Sequence, residues 1–404
     1  MKKNIILGIM LASAVGVGAQ DNHGYGTQDD KYKSLSEEIL KLKKHNDMFN
    51  VYFNYASSAQ VQQGADDSWG THFANKQLRI EIKGNLTDKL YYRLRHRLNK
   101  STTAQNEDNF AKATDIMMVG YRLTDKLKVE GGKMCQIWGG FEFDENPMYI
   151  YQYSDMVDNM DNFMAGVVVS YSPVPTQEIA VEVSDANNGS FADEYGAVAA
   201  AVEGNATSIR PLEASKNPLT YIVNWNGSFW GDRLQTRWSW GIQTQARSKY
   251  SRMLVFGQRL NLPKVQLYLD YMGAFDGLDR LKIASGEVLP DASAFNGYTG
   301  RLWLSDVHYN SFISKLNWQF APQWNLMLKG MYETASVAHV EALKDYRKSY
   351  AYMGSVEYYP VKSQDFRVFL AYVGRKYDYS DKCKLADYNT NRIELGFMYR
   401  IKAF

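Results

Sequence analysis

From Met48 onward the side chains alternate with a period of two, segment after segment, and few folds can use such a pattern. Over residues 220–229, Tyr221, Val223, Trp225 and Phe229 share one face, while Ile222, Asn224, Asn226 and Ser228 share the other. The same holds for Leu234, Trp238, Trp240 and Ile242, and for Val265, Leu267, Leu269 and Tyr271. Trp324, Leu326, Leu328 and Tyr332 repeat it, as do Phe366, Val368, Leu370 and Tyr372. Neighbouring residues of a strand point to opposite faces, so each segment reads as a strand with one apolar face and one mixed or polar face.

The connections narrow the choice further. Seven short turns fall at residues 85–89, 124–126, 173–175, 231–232, 262–263, 321–323 and 360–364. Mostly longer, polar stretches lie between them, near 61–72, 100–112, 139–162, 186–217, 247–250, 274–306, 336–347 and 377–390; the fifth of these is short. Seven turns, eight outer loops and both ends on the turn side give sixteen strands. Long loops on one side only are the mark of a barrel in a membrane, where lipid offers no partner to a free strand edge and the sheet must close. The expected fold is all-β: a transmembrane antiparallel β-barrel of about 16 strands with a short N-terminal periplasmic helical segment. A soluble sandwich would alternate too, but it needs neither one-sided loops nor outward rings from 29 Tyr and 9 Trp. A mean hydropathy of −0.42 argues against a helical membrane protein. It suits a barrel, because only alternate residues meet lipid.

Three regions follow. Residues 1–19 read as a secretory signal: Lys2 and Lys3, an apolar run from Ile5 to Val17, then Val17-Gly18-Ala19 before Gln20. Residues 20–47 form a leading segment, in which Leu35, Ile39, Leu42 and Asn46 recur at helical spacing, continued by Phe49 just beyond it. It reads either as a short coiled coil in the periplasm or as a lone amphipathic helix. Residues 48–404 form the barrel, placed in a bacterial outer membrane. Phe404 gives a terminal aromatic, out of phase with Ile393, Leu395, Phe397, Tyr399 and Ile401 unless a bulge near Lys402 restores it. Cys135 and Cys383 are too few for a disulfide scaffold, and two separate thiols are expected.

Charge decides what the barrel does. Removing Lys2 and Lys3 with the signal leaves 44 basic against 44 acidic residues, so any preference must come from placement. With the apolar face toward lipid, the lumen receives Arg79, Glu81 and Lys83, then Arg93, Arg95 and Arg97 from one strand. Alternate strand residues stand about 7 Å apart, so these last three make a ladder. Arg233, Arg237, Arg367 and Arg392 are expected inside as well, as are Arg259, Lys315, Lys329, Arg375 and Arg400. Inward acids are fewer: Glu182, Asp270, Glu333, Glu357 and Glu394. Arginine forks match carboxylate and phosphate oxygens, so such a lumen draws anions unless loop carboxylates neutralise it. The third long loop, residues 139–162, carries Glu142, Asp144, Glu145, Asp155, Asp158 and Asp161 and no lysine or arginine. Folded inward, it would narrow the channel and face the arginines across it. As a surface loop it would bind cations instead.

No nucleotide-binding, zinc-protease or serine-hydrolase motif is present, and His23, His45, His72, His96, His308 and His339 are scattered. No cofactor and no metal are expected. The stretch from Leu78 to Leu90, with Arg79-Ile80-Glu81-Ile82-Lys83-Gly84, and Val129-Glu130-Gly131-Gly132-Lys133 resemble the phosphate-selective porin O and P family. The resemblance implies a sixteen-stranded outer-membrane channel, usually trimeric, with an arginine-lined pore. The expected function is passive diffusion of small solutes, leaning to anions such as phosphate. Alternatives are a general or nutrient-specific porin without anion preference, a barrel enzyme or an adhesin. Expected partners are outer-membrane lipid and lipopolysaccharide, the barrel assembly machinery, small anionic or neutral solutes and two further copies of the chain; nucleic acid is not among them.

Overall fold

The computed structural model describes residues 48–103, 109–203, 208–289, 298 and 300–403. The signal, the leading segment and Phe404 lie outside the described residues. The chain runs β1 (Asn50–Gln63), β2 (Trp69–Asn85), β3 (Leu90–Arg97), β4 (Thr114–Arg122), β5 (Leu127–Cys135), β6 (Phe163–Val174) and β7 (Gln177–Asp185). Two short strands, β8 (Ala199–Glu203) and β9 (Ser208–Pro211), belong to the fourth outer loop. Then follow β10 (Leu219–Phe229), β11 (Leu234–Ala246), β12 (Lys249–Leu262), β13 (Val265–Leu278) and β14 (Arg301–Ala321). The last are β15 (Trp324–Val337), β16 (Arg347–Tyr358), β17 (Asp365–Tyr379) and β18 (Tyr388–Lys402).

Leaving out β8 and β9, sixteen strands pair antiparallel with their neighbours, β7 with β10 included, and β1 pairs with both β2 and β18. The sheet closes on itself, as lipid demands. The tight turns at 86–89, 123–126, 175–176, 230–233, 263–264, 322–323 and 359–364 all fall on one rim. β8 and β9 make a small hairpin, and β8 runs parallel to the outer end of β14. Tyr195, Ala199, Ala201, Leu278 and Trp303 form the apolar cluster under that hairpin.

Tyr221, Trp238, Trp240 and Tyr372 lie on the outer face, 46%, 38%, 49% and 39% exposed. Across β10 to β16 the outward rings touch in series: Trp225, Trp238, Phe256, Tyr271, Phe312, Tyr332 and Tyr350, with centroids 4.9–6.4 Å apart. Cross-strand ring pairs of this kind stabilise sheet register. The opposite side differs: β3, β4 and β5 have only 8, 9 and 9 residues. Its exposed residues there and on β6 and β7 include Met117, Val119, Val167, Val169, Ile179, Val181 and Val183.

Candidate functional site

The lumen is polar, as the alternation requires, and the third loop fills much of it. That loop leaves β5 after Cys135 and turns at Gly139 and Gly140, both with φ of +73°. A Cβ at Gly139 would stand 3.0 Å from the Asn224 side chain, and one at Gly140 3.1 Å from Val255. Only glycine adopts this backbone cheaply at such close approach. From there the loop crosses the barrel. The Phe141 and Glu142 amides donate to Asp270 on β13, at 2.7 and 2.8 Å. The Tyr149 hydroxyl donates to Asp365 at 2.6 Å and the Tyr151 hydroxyl to Glu357 at 2.9 Å. Arg392 donates to the Tyr151 carbonyl at 2.8 Å, and Gln77 on β2 reaches the Pro147 carbonyl at 3.4 Å.

Its acids explain the crossing. Glu142 pairs with Lys329, Asp144 with Arg237 and Glu145 with Lys315. Asp155 meets both Arg347 and Arg375 at 2.6 Å. Four of the six loop acids are therefore turned toward β11 and β14–β17, not toward the arginines of β2 and β3. The expected picture of an acidic loop confronting the ladder is corrected to that extent, because the far wall carries its own lysines and arginines. Asp158 and Asp161 alone are exposed.

A cavity of about 620 Å³ remains between this loop and the wall made by β2–β5. Arg79, Arg95 and Arg97 line it, with Lys76, Lys100, Lys112 and Lys133. Asp115 sits among the three arginines, 3.6 Å from Arg79, 3.5 Å from Arg95 and 2.7 Å from Arg97. Arg93 faces inward as expected, but it lies fully buried and pairs with Glu81 at 2.8 Å, apart from the cavity. Lys83 is also inward, its ammonium 5.6 Å from the Tyr52 ring centre. Arg237, Arg367 and Arg392 are inside, under the inserted loop, and Arg367 pairs with Glu357 at 3.0 Å. Arg233 is not inside. It is exposed in the 230–233 turn, where Trp230, Gly231 and Asp232 all take positive φ and strand alternation no longer applies.

Lys76 and Asp115 escape a period-two reading for a definite reason. Ala56 pairs with Gln77 and Ser57 with Asn75, which leaves Lys76 as an extra residue. Arg95 pairs with Ile116 and His96 with Thr114, which leaves Asp115 as another. Each bulge lets a residue point inward that strict alternation would turn out. Lys133 follows Gly132, whose φ is +121° and whose added Cβ would lie 2.3 Å from the Met117 carbonyl oxygen.

The chain matches the phosphate-selective porin O and P family over residues 49–401. It belongs to that family. Solved structures agree on the fold. The outer-membrane channel DcaP of Acinetobacter baumannii is 12% identical, with 90% of this chain and 100% of that one covered and a TM-score of 0.58. Salmonella typhi OmpF, in a complex with daunomycin, is 11% identical, with 89% and 100% covered and a TM-score of 0.56. OmpT of Vibrio cholerae is 11% identical, with 89% and 100% covered and a TM-score of 0.52. No curated protein sequence matches the chain. Family and fold make this porin a passive channel of the bacterial outer membrane.

The porin carries its own probe of the lumen. Cys135 lines the cavity, is in no disulfide, and accepts a hydrogen bond from Asn162 Nδ2 at 3.7 Å. Cys383, likewise in no disulfide, lies in the last outer loop and is removed by C383S. A charged thiosulfonate that labels Cys135 should lower conductance. An anionic reagent, scaled to its rate on a simple thiol, should react severalfold faster than a cationic one. Equal scaled rates would mean no excess positive potential at Cys135.

Proposed function

We propose that this porin prefers anions and conducts them along the β2–β5 wall. The observation that supports this reading is the charge around the cavity. Lys76, Arg79, Arg95, Arg97, Lys100, Lys112 and Lys133 stand against Asp115, Glu145, Asp158 and Asp161, seven to four. The chain as a whole is nearly neutral, at +2, so the excess is local. A narrow passage with low-dielectric walls focuses such a field and raises the local concentration of the opposite ion. Several similar sites, each partly occupied by a fixed carboxylate such as Asp115, bind weakly enough to let an anion move on.

In this reading the inserted loop is the constriction, and its anchored acids spend their charge on the far wall. The low, aliphatic side of the barrel at β3–β7 is the side that meets two further copies in a trimer. The ringed side at β10–β16 meets lipid, since aromatic residues favour the membrane boundary. Lipopolysaccharide then surrounds the outer rim, and the assembly machinery handles the chain before insertion.

The test is a reversal potential across a potassium chloride gradient, measured on single channels at low salt. The expected sign is that of chloride selectivity. A potential at zero or of the opposite sign would show that Asp115 and the exposed loop acids cancel the wall, and the porin would then be a general one.

A further inference from the structure

The cavity has two unlike sides. Its lysines and arginines all stand on the barrel wall or in the second outer loop. Its apolar surface comes from the inserted loop and the residue that follows it: half-buried Pro147, Tyr153, Val157 and Phe163 with buried Phe143 and Met160, the acids Glu145, Asp158 and Asp161 standing beside them. The Tyr153 phenol, neutral at pH 7 as any tyrosine is, is held further from ionisation by burial. The Arg95 guanidinium lies 5.1 Å over the Phe163 ring, where the two sides meet. An inorganic oxyanion has a wholly polar surface and gains nothing from the apolar side. An anion with a hydrocarbon body gains from both.

Resting on the anion reading above, we propose that the solutes of this porin are small organic carboxylates. The carboxylate faces Arg79, Arg95 and Arg97, and the hydrocarbon body lies against Pro147, Tyr153 and Val157. Arginine forks accept a carboxylate as readily as a phosphate, so the basic side alone does not discriminate. The apolar side does, because removing hydrocarbon surface from water is favourable for an organic anion only. The cavity, about 620 Å³, falls within the range of sites for small organic molecules. Passage requires that the apolar contact stay partial, and half-buried side chains supply partial contact.

Benzoate, acetate and inorganic phosphate serve as probes, each added to the full-length porin in a planar bilayer while chloride current is recorded. Benzoate should halve the current at about one tenth of the acetate concentration, the gain of one partly covered ring. It should also act at lower concentration than phosphate. In the double variant Y153S/V157S the benzoate-to-acetate ratio should fall toward one. If that variant does not assemble, V157S alone carries the same comparison with a smaller fall. Chloride-over-potassium selectivity is recorded in the same membranes. An unselective or cation-selective wild type sinks the anion reading itself. An anion-selective wild type blocked best by phosphate, or a ratio that the variants leave unchanged, overturns the organic-carboxylate assignment alone.

Discussion

Replacing Arg79, Arg95 and Arg97 together by glutamine should abolish the anion preference of the pore. The cavity now holds seven cationic and four anionic side chains; the triple variant holds four of each. At about 8 Å in water, each lost charge changes the energy of a passing ion by about 0.5 kcal/mol, so three lower the local anion concentration by roughly tenfold. The effect should be largest at low salt, where the screening length approaches ~30 Å at 0.01 M, and should shrink as salt rises. Glutamine supplies a polar, uncharged amide on a shorter stem, and Asp115, buried among the arginines, loses all three charged partners. Adding D115N to the triple variant should move the reversal potential back by about one charge's share. A triple variant indistinguishable from wild type would mean that Asp115, Glu145, Asp158 and Asp161 together already cancel these arginines. Arg93 is left out of the set because Glu81 holds it outside the cavity.

Deleting residues 144–156 should raise single-channel conductance severalfold and sharpen anion preference at once. The deletion removes the crossing segment, including Tyr149 and Tyr151, which bond to Asp365 and Glu357 on the far wall. It also removes Asp144, Glu145 and Asp155, and so takes a carboxylate from Arg237, Lys315, Arg347 and Arg375, of which Arg347 keeps Glu287 and Arg375 keeps Glu333. A sixteen-stranded barrel without its inserted loop is an open aqueous channel, so the barrel itself should still assemble. The milder change D155N leaves the loop in place but takes from Arg347 and Arg375 a shared carboxylate. Glu287 stays on Arg347 and Glu333 on Arg375, so the cost stays below the ~3 kcal/mol of stranding a buried charge. D155N should therefore show a fluctuating open-channel current at nearly normal mean conductance. Unchanged conductance in the deletion would show that the loop does not set the narrowest cross-section.

The barrel was legible because its signals are local and repetitive. Trp238 and Trp240 alternate with Arg237 and Ser239, and that alone orients β11. The turns on one rim are short and the loops on the other mostly long, so the strand count followed from the rhythm of the connections. The lumen was legible only in part. Arg79, Arg95 and Arg97 fell where alternation placed them, whereas Arg233 fell in a turn where alternation ends. Lys76 and Asp115 were hidden because each is the extra residue of a bulge, and nothing in the residue types around them marks the slip. The partners of the loop acids were hidden for another reason. Asp155 is 192 residues from Arg347 and 220 from Arg375 along the chain, and only closure of the sheet brings them together.

The two bulges have a consequence for how such a pore changes over evolutionary time. A register slip of one residue normally swaps a whole strand between its two environments. In β2 and β4 the slip is absorbed on the spot, so Lys76 and Asp115 enter the lumen while the strands on either side keep their orientation. Gain or loss of a single codon at such a position would therefore add or withdraw one formal charge from the conducting path. The cost is one unmatched backbone position, far below that of putting a charge against lipid. Selectivity in this barrel can then drift by insertion and deletion inside the strands, and not only by exchange of one side chain for another.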